Sequence, residues 1–386
     1  MSNTISIFSF PTRIVFGAGA LGELGTELAR LGMKRPLLVT DRGVVQSGLA
    51  ERVMAACEPL RLVAFDGVSP NPTEANVLAG LDAYRRENCD GIISLGGGSP
   101  LDAGKAIRLV STHPLPLDPY DDQLNGGKRI GPNLPPMVGI ATTAGTGSEV
   151  GRSAVIILKS TDRKTVIFSS HLIPSVAIAD PELTLGLPPH ITAGTGFDAL
   201  THNVEAYLAK GYHPMCDSIA LGGTRLAAKN LVQAVQNGRD IQARNSMMMA
   251  SIMGAVAFQK GLGAVHSLAH PLSSVAGLHH GTTNGILLPH VLEFNLVTSE
   301  DRLRDLALAM GLEVAGSSSA YAASAAIDEV RRLLREVGIP ERLSGLGITR
   351  DMIPALSRKA MEDACHQLNP RPCTLEDMAR LYESAL

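Results

Sequence analysis

The segment Gly261–His290, GLGAVHSLAHPLSSVAGLHHGTTNGILLPH, holds five of the chain's eleven histidines: His266, His270, His279, His280 and His290. Upstream, residues 195–207 read TGFDALTHNVEAY and place Asp198 four residues before His202. On a helix, residues four apart share a face one turn apart, so a carboxylate and an imidazole there can address one ion. His266 and His270 repeat the spacing. Pro271 follows directly and cannot donate to the helix ladder, so a kink is expected there. His280 lies in Leu-His-His-Gly, read as a turn that returns another imidazole to the same point. Three imidazoles and one carboxylate suit a catalytic divalent ion such as Zn²⁺ or Fe²⁺. The same residues also fit a blander description, as a capping pair and loop histidines. No H-E-x-x-H zinc-protease pattern is present.

Working outward, the 386 residues suffice for two domains. A hydrophobic share of 45% and a charged share of 18% mark an ordinary globular chain. With 34 basic against 37 acidic residues, the net charge of -3 argues against nucleic acid as a partner. Tryptophan is absent, so Ala, Leu, Val, Ile and Met must build the core. The five cysteines show no paired spacing, which suits a reducing compartment. The N-terminal residues show no signal peptide, and no apolar run approaches the ~18 residues that span a bilayer. A cytoplasmic protein without a membrane partner is expected.

Strand and helix signals alternate from the start of the chain. Strands are predicted at 5–10, 14–16, 37–40, 60–65, 91–95, 137–142, 153–158, 165–168 and 176–179. Helices are predicted at 21–31, 48–56, 73–87 and 101–110. This order implies βαβ units and a parallel sheet. Residues 111–136 are rich in Pro, Gly, Asp and Asn and read as a long loop that could act as a flap. From Thr192 the signal is almost wholly helical. The fold class is α/β: an N-terminal parallel-sheet dinucleotide-binding domain, 1–183, followed by an all-helical metal-binding domain, 184–386.

Gly96-Gly97-Gly98-Ser99-Pro100 follows a buried strand and opens a helix. Such glycines let backbone N–H groups reach a phosphate at a helix N-terminus, and Ser99 could cap the helix or bond the phosphate. It is not the G-x-G-x-x-G fingerprint, and a plain turn is the alternative. Asp41 ends a strand, where a carboxylate can bond ribose hydroxyls and repel a 2′-phosphate, favouring NAD; it could equally begin a turn. The adjacent Arg42 could tolerate that phosphate.

GFDALTHNVEAY, GLGAVHSLAHPL and NGILLPHVLEFN resemble the iron-dependent (group III) alcohol dehydrogenases. FGAGAL, LLVTD, SLGGGSPLDAGKAI, TTAGTGSEV, ADPELTLGLPP and LNPRPCTLEDMARLY extend the likeness, in order, over nearly the whole chain. The resemblance implies a metal held by Asp198, His202, His266 and His280, with Fe²⁺ expected first and Zn²⁺ second. It implies NAD, with NADP as the alternative, near Asp41, Asn71, Gly97, Gly98, Ser99, Asp102, Thr142, Thr143, Lys164 and Leu183. The implied reaction moves hydride between a primary alcohol or aldehyde and the nicotinamide, with the metal as Lewis acid. His270 becomes the candidate proton relay, or else only packs beside it. A homodimer or larger homo-oligomer is expected.

His279 departs from the pattern, which has Pro before the last metal histidine. It could contact substrate, offer another ligand or face solvent, the last being favoured. Gly151 and Ser153 are smaller than the family's usual residues and imply a roomier channel. A dehydroquinate-synthase-like or glycerol-dehydrogenase-like enzyme shares the architecture. The former needs many basic residues near its metal, and few are found here. A non-enzymatic metal protein would bind no nicotinamide.

Overall fold

The computed structural model describes residues 7–10, 12–161 and 163–386. These form two compact units. One comprises Phe10–Thr143 and Gly147–Gly186; the other comprises Leu187–Leu386 with Ala144–Thr146 and the described residues up to Ser9. The α/β unit thus runs to Gly186 rather than to 183. Leu183 packs into that unit's own core, which carries the chain past the expected end.

The α/β unit holds strands β1 (Arg13–Phe16), β2 (Pro36–Val39), β3 (Val63–Phe65), β4 (Gly91–Gly96), β5 (Met137–Ala141), β6 (Ser153–Leu158), β7 (Arg163–Phe168) and β8 (Val176–Ala179). Its helices are α1 (Leu24–Arg30), α2 (Arg42–Gln46), α3 (Leu49–Ala56), α4 (Glu74–Arg86) and α5 (Gly98–Thr112). Six strands form a parallel sheet in the order β1-β8-β5-β4-β2-β3, and β6 and β7 form a separate antiparallel pair. Strands β2, β4, β5 and β8 are buried at every residue, as parallel strands covered on both faces must be. Alternation along them splits the core in two. Leu37, Ile92 and Met137 pack with α4 and α5, whereas Leu38, Ile93 and Val138 pack with α1 and α3. Thr73 caps α4 in a capping box with Asn76.

Several sequence expectations shift. The predicted helix 21–31 is a 3-10 turn at Ala20–Glu23 followed by α1, since Gly19 enters in the left-handed region. Of the predicted strand 5–10, residues 7–10 have no regular structure and the rest lies outside the described residues. The loop 111–136 contains three 3-10 turns and buries Tyr120.

The helical unit contains α6 (Pro189–Leu208), α7 (Pro214–Gln236), α8 (Ile241–Ala257), α9 (Ala264–Ala276), α10 (His280–Ala309), α11 (Ser319–Glu336), α12 (Ile353–Glu362) and α13 (Leu375–Ser384). Helix α6 is buried on almost every side from Thr192 onward and packs on α7, α8 and α10. A helix enclosed this way is the centre of its unit. α9 runs through Pro271 to a left-handed Gly277 cap. Among the described residues no single helix is long and apolar enough to cross a membrane, and α8 and α9 meet at 110°.

Candidate metal centre and cofactor cradle

Helix α6 contributes Asp198, His202 and, seven residues after Asp198, Glu205. α9 contributes His266 and His270, and α10 begins at His280. His280 is therefore the first residue of a helix rather than part of a turn. His279 is its N-cap: its ring Nδ1 accepts the Thr282 N–H at 3.3 Å while the side chain stays exposed. The capping role is new, and partial burial of the ring lowers its pKa.

Two glycines let α10 approach α6. A Cβ on Gly281 would lie 2.0 Å from the Gly194 carbonyl oxygen, and one on Gly194 would lie 2.6 Å from the His279 ring. That contact brings His280 beside Asp198.

One oxygen, Asp198 Oδ1, lies 3.7 Å from His202 Nε2, 3.9 Å from His266 Nε2 and 3.6 Å from His280 Nε2. Four donors at the ~2.1 Å bond length of a tetrahedral ion stand about 3.4 Å apart. The three spacings to Asp198 Oδ1 are close to that value, and the donor atoms of Asp198, His202 and His266 all lie within 4.8 Å of one another. His266 Nε2 is buried with no hydrogen-bond partner, as a lone pair reserved for an ion would be. Asn284 Nδ2 donates to Asp198 Oδ1 at 2.9 Å and lies 3.2 Å from His280 Nε2. Asp198, His202 and His266 thus form a compact donor set suited to a divalent ion, and His280 approaches it through Asp198.

Glu205 completes the cluster. His266 Nδ1 donates to Glu205 Oε2 at 2.5 Å, and the Val265 N–H donates to Glu205 Oε1 at 2.7 Å. A carboxylate accepts only, so the His266 proton is held on Nδ1 and the lone pair is left on Nε2. Burial opposes charge on His266, but Glu205 and Asp198 hold its pKa above the ordinary value. Burial lowers the pKa of His202 despite Asp198. The sequence reading missed Glu205; its position on the Asp198 and His202 face, three residues after His202, was the signal.

His270 is set apart from the four donors. Its Nδ1 donates to Asp363 Oδ2 at 2.7 Å. Its ring stacks on His280 at 5.2 Å and meets His266 edge-on at 5.9 Å. Asp363 is held well below the usual carboxylate range: burial works against this, but His270, Ser267 and the Cys365 N–H outweigh it. Burial and Asp363 push the Cys365 thiol well above its usual value. No sequence signal linked Asp363 to His270, 93 residues earlier.

In the α/β unit, Gly97 is the N-cap of α5 and makes no side-chain cap bond, so Ser99 lies inside the helix and is not its cap. A Cβ on Gly97 would lie 3.4 Å from Thr143 Oγ1, so glycine keeps that space open beside the threonine. The Thr142 N–H bonds the Gly96 carbonyl, tying the hydroxyl-rich loop to the end of β4. Asp41 caps α2, its Oδ1 accepting the Val44 N–H at 2.9 Å. Capping thus occupies one carboxylate oxygen. Asn71 sits at φ 57 on the approach to α4, and Leu183 is buried.

Asp102 is engaged within the chain. Its Oδ1 accepts the Ser148 hydroxyl at 2.6 Å and its Oδ2 the Val155 N–H at 3.0 Å. Beneath it Lys105, fully buried, donates to Ser148 Oγ at 2.7 Å and to the Ser153 carbonyl at 2.8 Å. Burial lowers Lys105 to about 8 and Lys164 to about 8, and raises Glu149 to about 7. Lys105 and Glu149 were not singled out from sequence; a charged side chain buried by tertiary packing leaves no periodic signature.

Residues 11–181 match the model of the iron-containing alcohol dehydrogenases, and residues 192–386 match the C-terminal model of the same family. The chain is 42% identical to a 4-hydroxybutyrate dehydrogenase of Cupriavidus necator over 97% of this chain and 98% of the relative. A crystal structure of a 1,3-propanediol oxidoreductase superposes with a TM-score of 0.95 at 39% identity, covering 99% of this chain and 100% of that one. A sulfoacetaldehyde reductase of Bifidobacterium kashiwanohense, solved in complex with NAD⁺, gives a TM-score of 0.90 at 29% identity over 99% of both chains. None of these favours the dehydroquinate-synthase-like alternative.

Proposed function

The chain belongs to the iron-containing alcohol dehydrogenase family and interconverts alcohols and aldehydes; on that premise we propose one divalent ion, held by Asp198, His202, His266 and His280, and NAD, held by the α/β unit. The observation that carries this reading is the convergence of three imidazole Nε2 atoms within 3.9 Å of Asp198 Oδ1. Fe²⁺ is proposed first; Zn²⁺ fits the same donor set. Once bound, the ion supplies Lewis acidity to the alcohol or carbonyl oxygen, and the nicotinamide takes up or gives up hydride.

The chain's own residues do the rest. Gly97, Gly98 and Ser99 at the start of α5 offer N–H and hydroxyl groups to the diphosphate. Thr142 and Thr143 border the same cradle. The Asp41 oxygen left over from capping is proposed to bond the ribose and to repel a 2′-phosphate. Asn71, Lys164 and Leu183 are proposed to line the cofactor, and Asp102 to hold Ser148 and β6 in place behind it. His270, with Nδ1–H committed to Asp363, offers Nε2 to take the alcohol proton during oxidation and to return it during reduction. The two units are accordingly an NAD-binding domain and a metal-binding domain.

Support for the substrate class comes from relatives named for 4-hydroxybutyrate and 1,3-propanediol. We propose a short primary alcohol, or its aldehyde, with a second polar group at the far end. The test is to load purified protein with Fe²⁺ or Zn²⁺ and follow NADH with a panel of such compounds. Turnover that requires the ion and prefers NADH to NADPH is expected. Full turnover after chelation, or none with any primary alcohol or aldehyde, would overturn the reading.

A further inference from the structure

Asp363 follows directly on α12, and its two oxygens face different partners. Oδ1 accepts the Ser267 hydroxyl at 2.7 Å and the Cys365 N–H at 2.9 Å. Ser267 is fully buried and its Oγ accepts the His366 N–H at 2.8 Å, so its one proton is free to point at Asp363. Oδ2 faces His270 Nδ1 at 2.7 Å. The His270 ring is held from its other sides by His280 and His266.

We propose that Asp363 is a positioning residue that holds His270 as its Nδ1–H tautomer, so that Nε2 is kept as the proton-accepting atom. This rests on the reading of His270 as proton carrier. A neutral imidazole has one N–H, and a carboxylate can only accept. The Nδ1 contact therefore assigns the proton to Nδ1 and the lone pair to Nε2. Among the described residues Nε2 bonds nothing in the chain. In the other tautomer Nε2 would carry the proton and could not receive one from an alcohol.

The fixed donors on Oδ1 make the inference testable. In Asp363→Asn the side-chain carbonyl must stay where the Cys365 N–H and Ser267 hydroxyl point. The amide nitrogen then faces His270 Nδ1 as a donor. It needs a lone pair there, so the imidazole proton moves to Nε2. A residue with a purely structural role would not invert the ring in this way.

The experiment reads the ring nitrogens of His270 by ¹⁵N NMR, assigned with His270→Gln. It uses the metal-free full-length chain in alkaline buffer, where an ordinary imidazole is neutral. The Nδ1–H form is expected in the wild type and the Nε2–H form in Asp363→Asn. Metal-loaded Asp363→Asn should lose roughly 10²–10⁴-fold in kcat. Its metal content and its KM for NAD should be unchanged. An Nε2–H form in the wild type overturns the proposal without any variant. An unchanged tautomer, turnover within a few-fold of wild type, or loss of the metal in Asp363→Asn also overturns it. Full turnover in His270→Gln would instead remove the proton-carrier reading itself. Loss in His270→Gln without loss in Asp363→Asn would sink the positioning role alone.

Discussion

Glu205 Oε2 lies 2.5 Å from His266 Nδ1, and the two side chains are 4% and 2% exposed. The pair joins α6 to α9 and decides which nitrogen of His266 is left for an ion. Glu205 Oε1 is already committed to the Val265 N–H. In Glu205→Gln the carbonyl should keep that bond and turn the amide N–H toward Nδ1. The imidazole proton would move to Nε2 and block the ligand atom. Metal affinity should fall about 10–100-fold, measured by competition with a chelator. Unchanged affinity would refute the role.

His266→Ala and His280→Ala each remove one of the four proposed donors. Both variants should keep wild-type circular dichroism, lose bound metal on dialysis and lose turnover. Wild-type turnover in a metal-free variant would require a different ligand set.

Gly281 matters through what it lacks. A Cβ there would lie 2.0 Å from the Gly194 carbonyl oxygen and 3.1 Å from Asp198 Cβ. Gly281→Ala should push α10 off α6, at a cost of about 1–3 kcal/mol in stability. Metal stoichiometry should fall with the melting temperature, because His280 moves away from Asp198. A variant that melts lower but keeps full metal would separate packing from ligation.

Asp41→Gly should shift preference from NAD toward NADP by about 1–3 kcal/mol, the scale of hydrogen bonds to a charged group. Glycine is chosen because it keeps most of the N-cap function on α2. The ratio of kcat/KM for the two cofactors reads the shift. A wild type that already prefers NADPH contradicts the assignment.

Glu149 is buried and raised from 4.5 to about 7, chiefly by desolvation. The folded chain then holds a proton that the unfolded chain has released. Its stabilising contribution is complete below pH 4.5 and is lost as pH rises through about 7. Lys105 is lowered from 10.5 to about 8, so its effect has the opposite slope and lies between those values. Glu149→Gln should flatten the fall in stability between pH 4.5 and about 7, by on the order of a few kcal/mol. Urea unfolding across that window checks it; an unaltered slope counts against the burial argument.

Much of this architecture was legible in the chain itself because its signals are local. Largely apolar runs such as GIISLG predict strands covered on both faces, and β4 is buried throughout. The i,i+4 pair Asp198 and His202 needs only a helix to share a face, and α6 provides one. Glu205 was legible by the same rule and was overlooked. Glycines after β4 marked the start of α5, although Gly97 rather than Ser99 became the cap.

Tertiary structure alone decided the partners of those residues. His266 meets Glu205 across 61 residues, His270 meets Asp363 across 93, and Lys105 meets Ser148 across 43. Each contact joins a helix to a segment distant in sequence. Periodicity says which face of a helix turns inward, but not which other segment packs there. The tautomers of His266 and His270 follow from those encounters. So does the cap formed by His279, which depends on where α10 starts against Gly194. A side chain's chemical type is encoded locally; the acceptor that fixes its proton is supplied only when distant segments close-pack and exclude water.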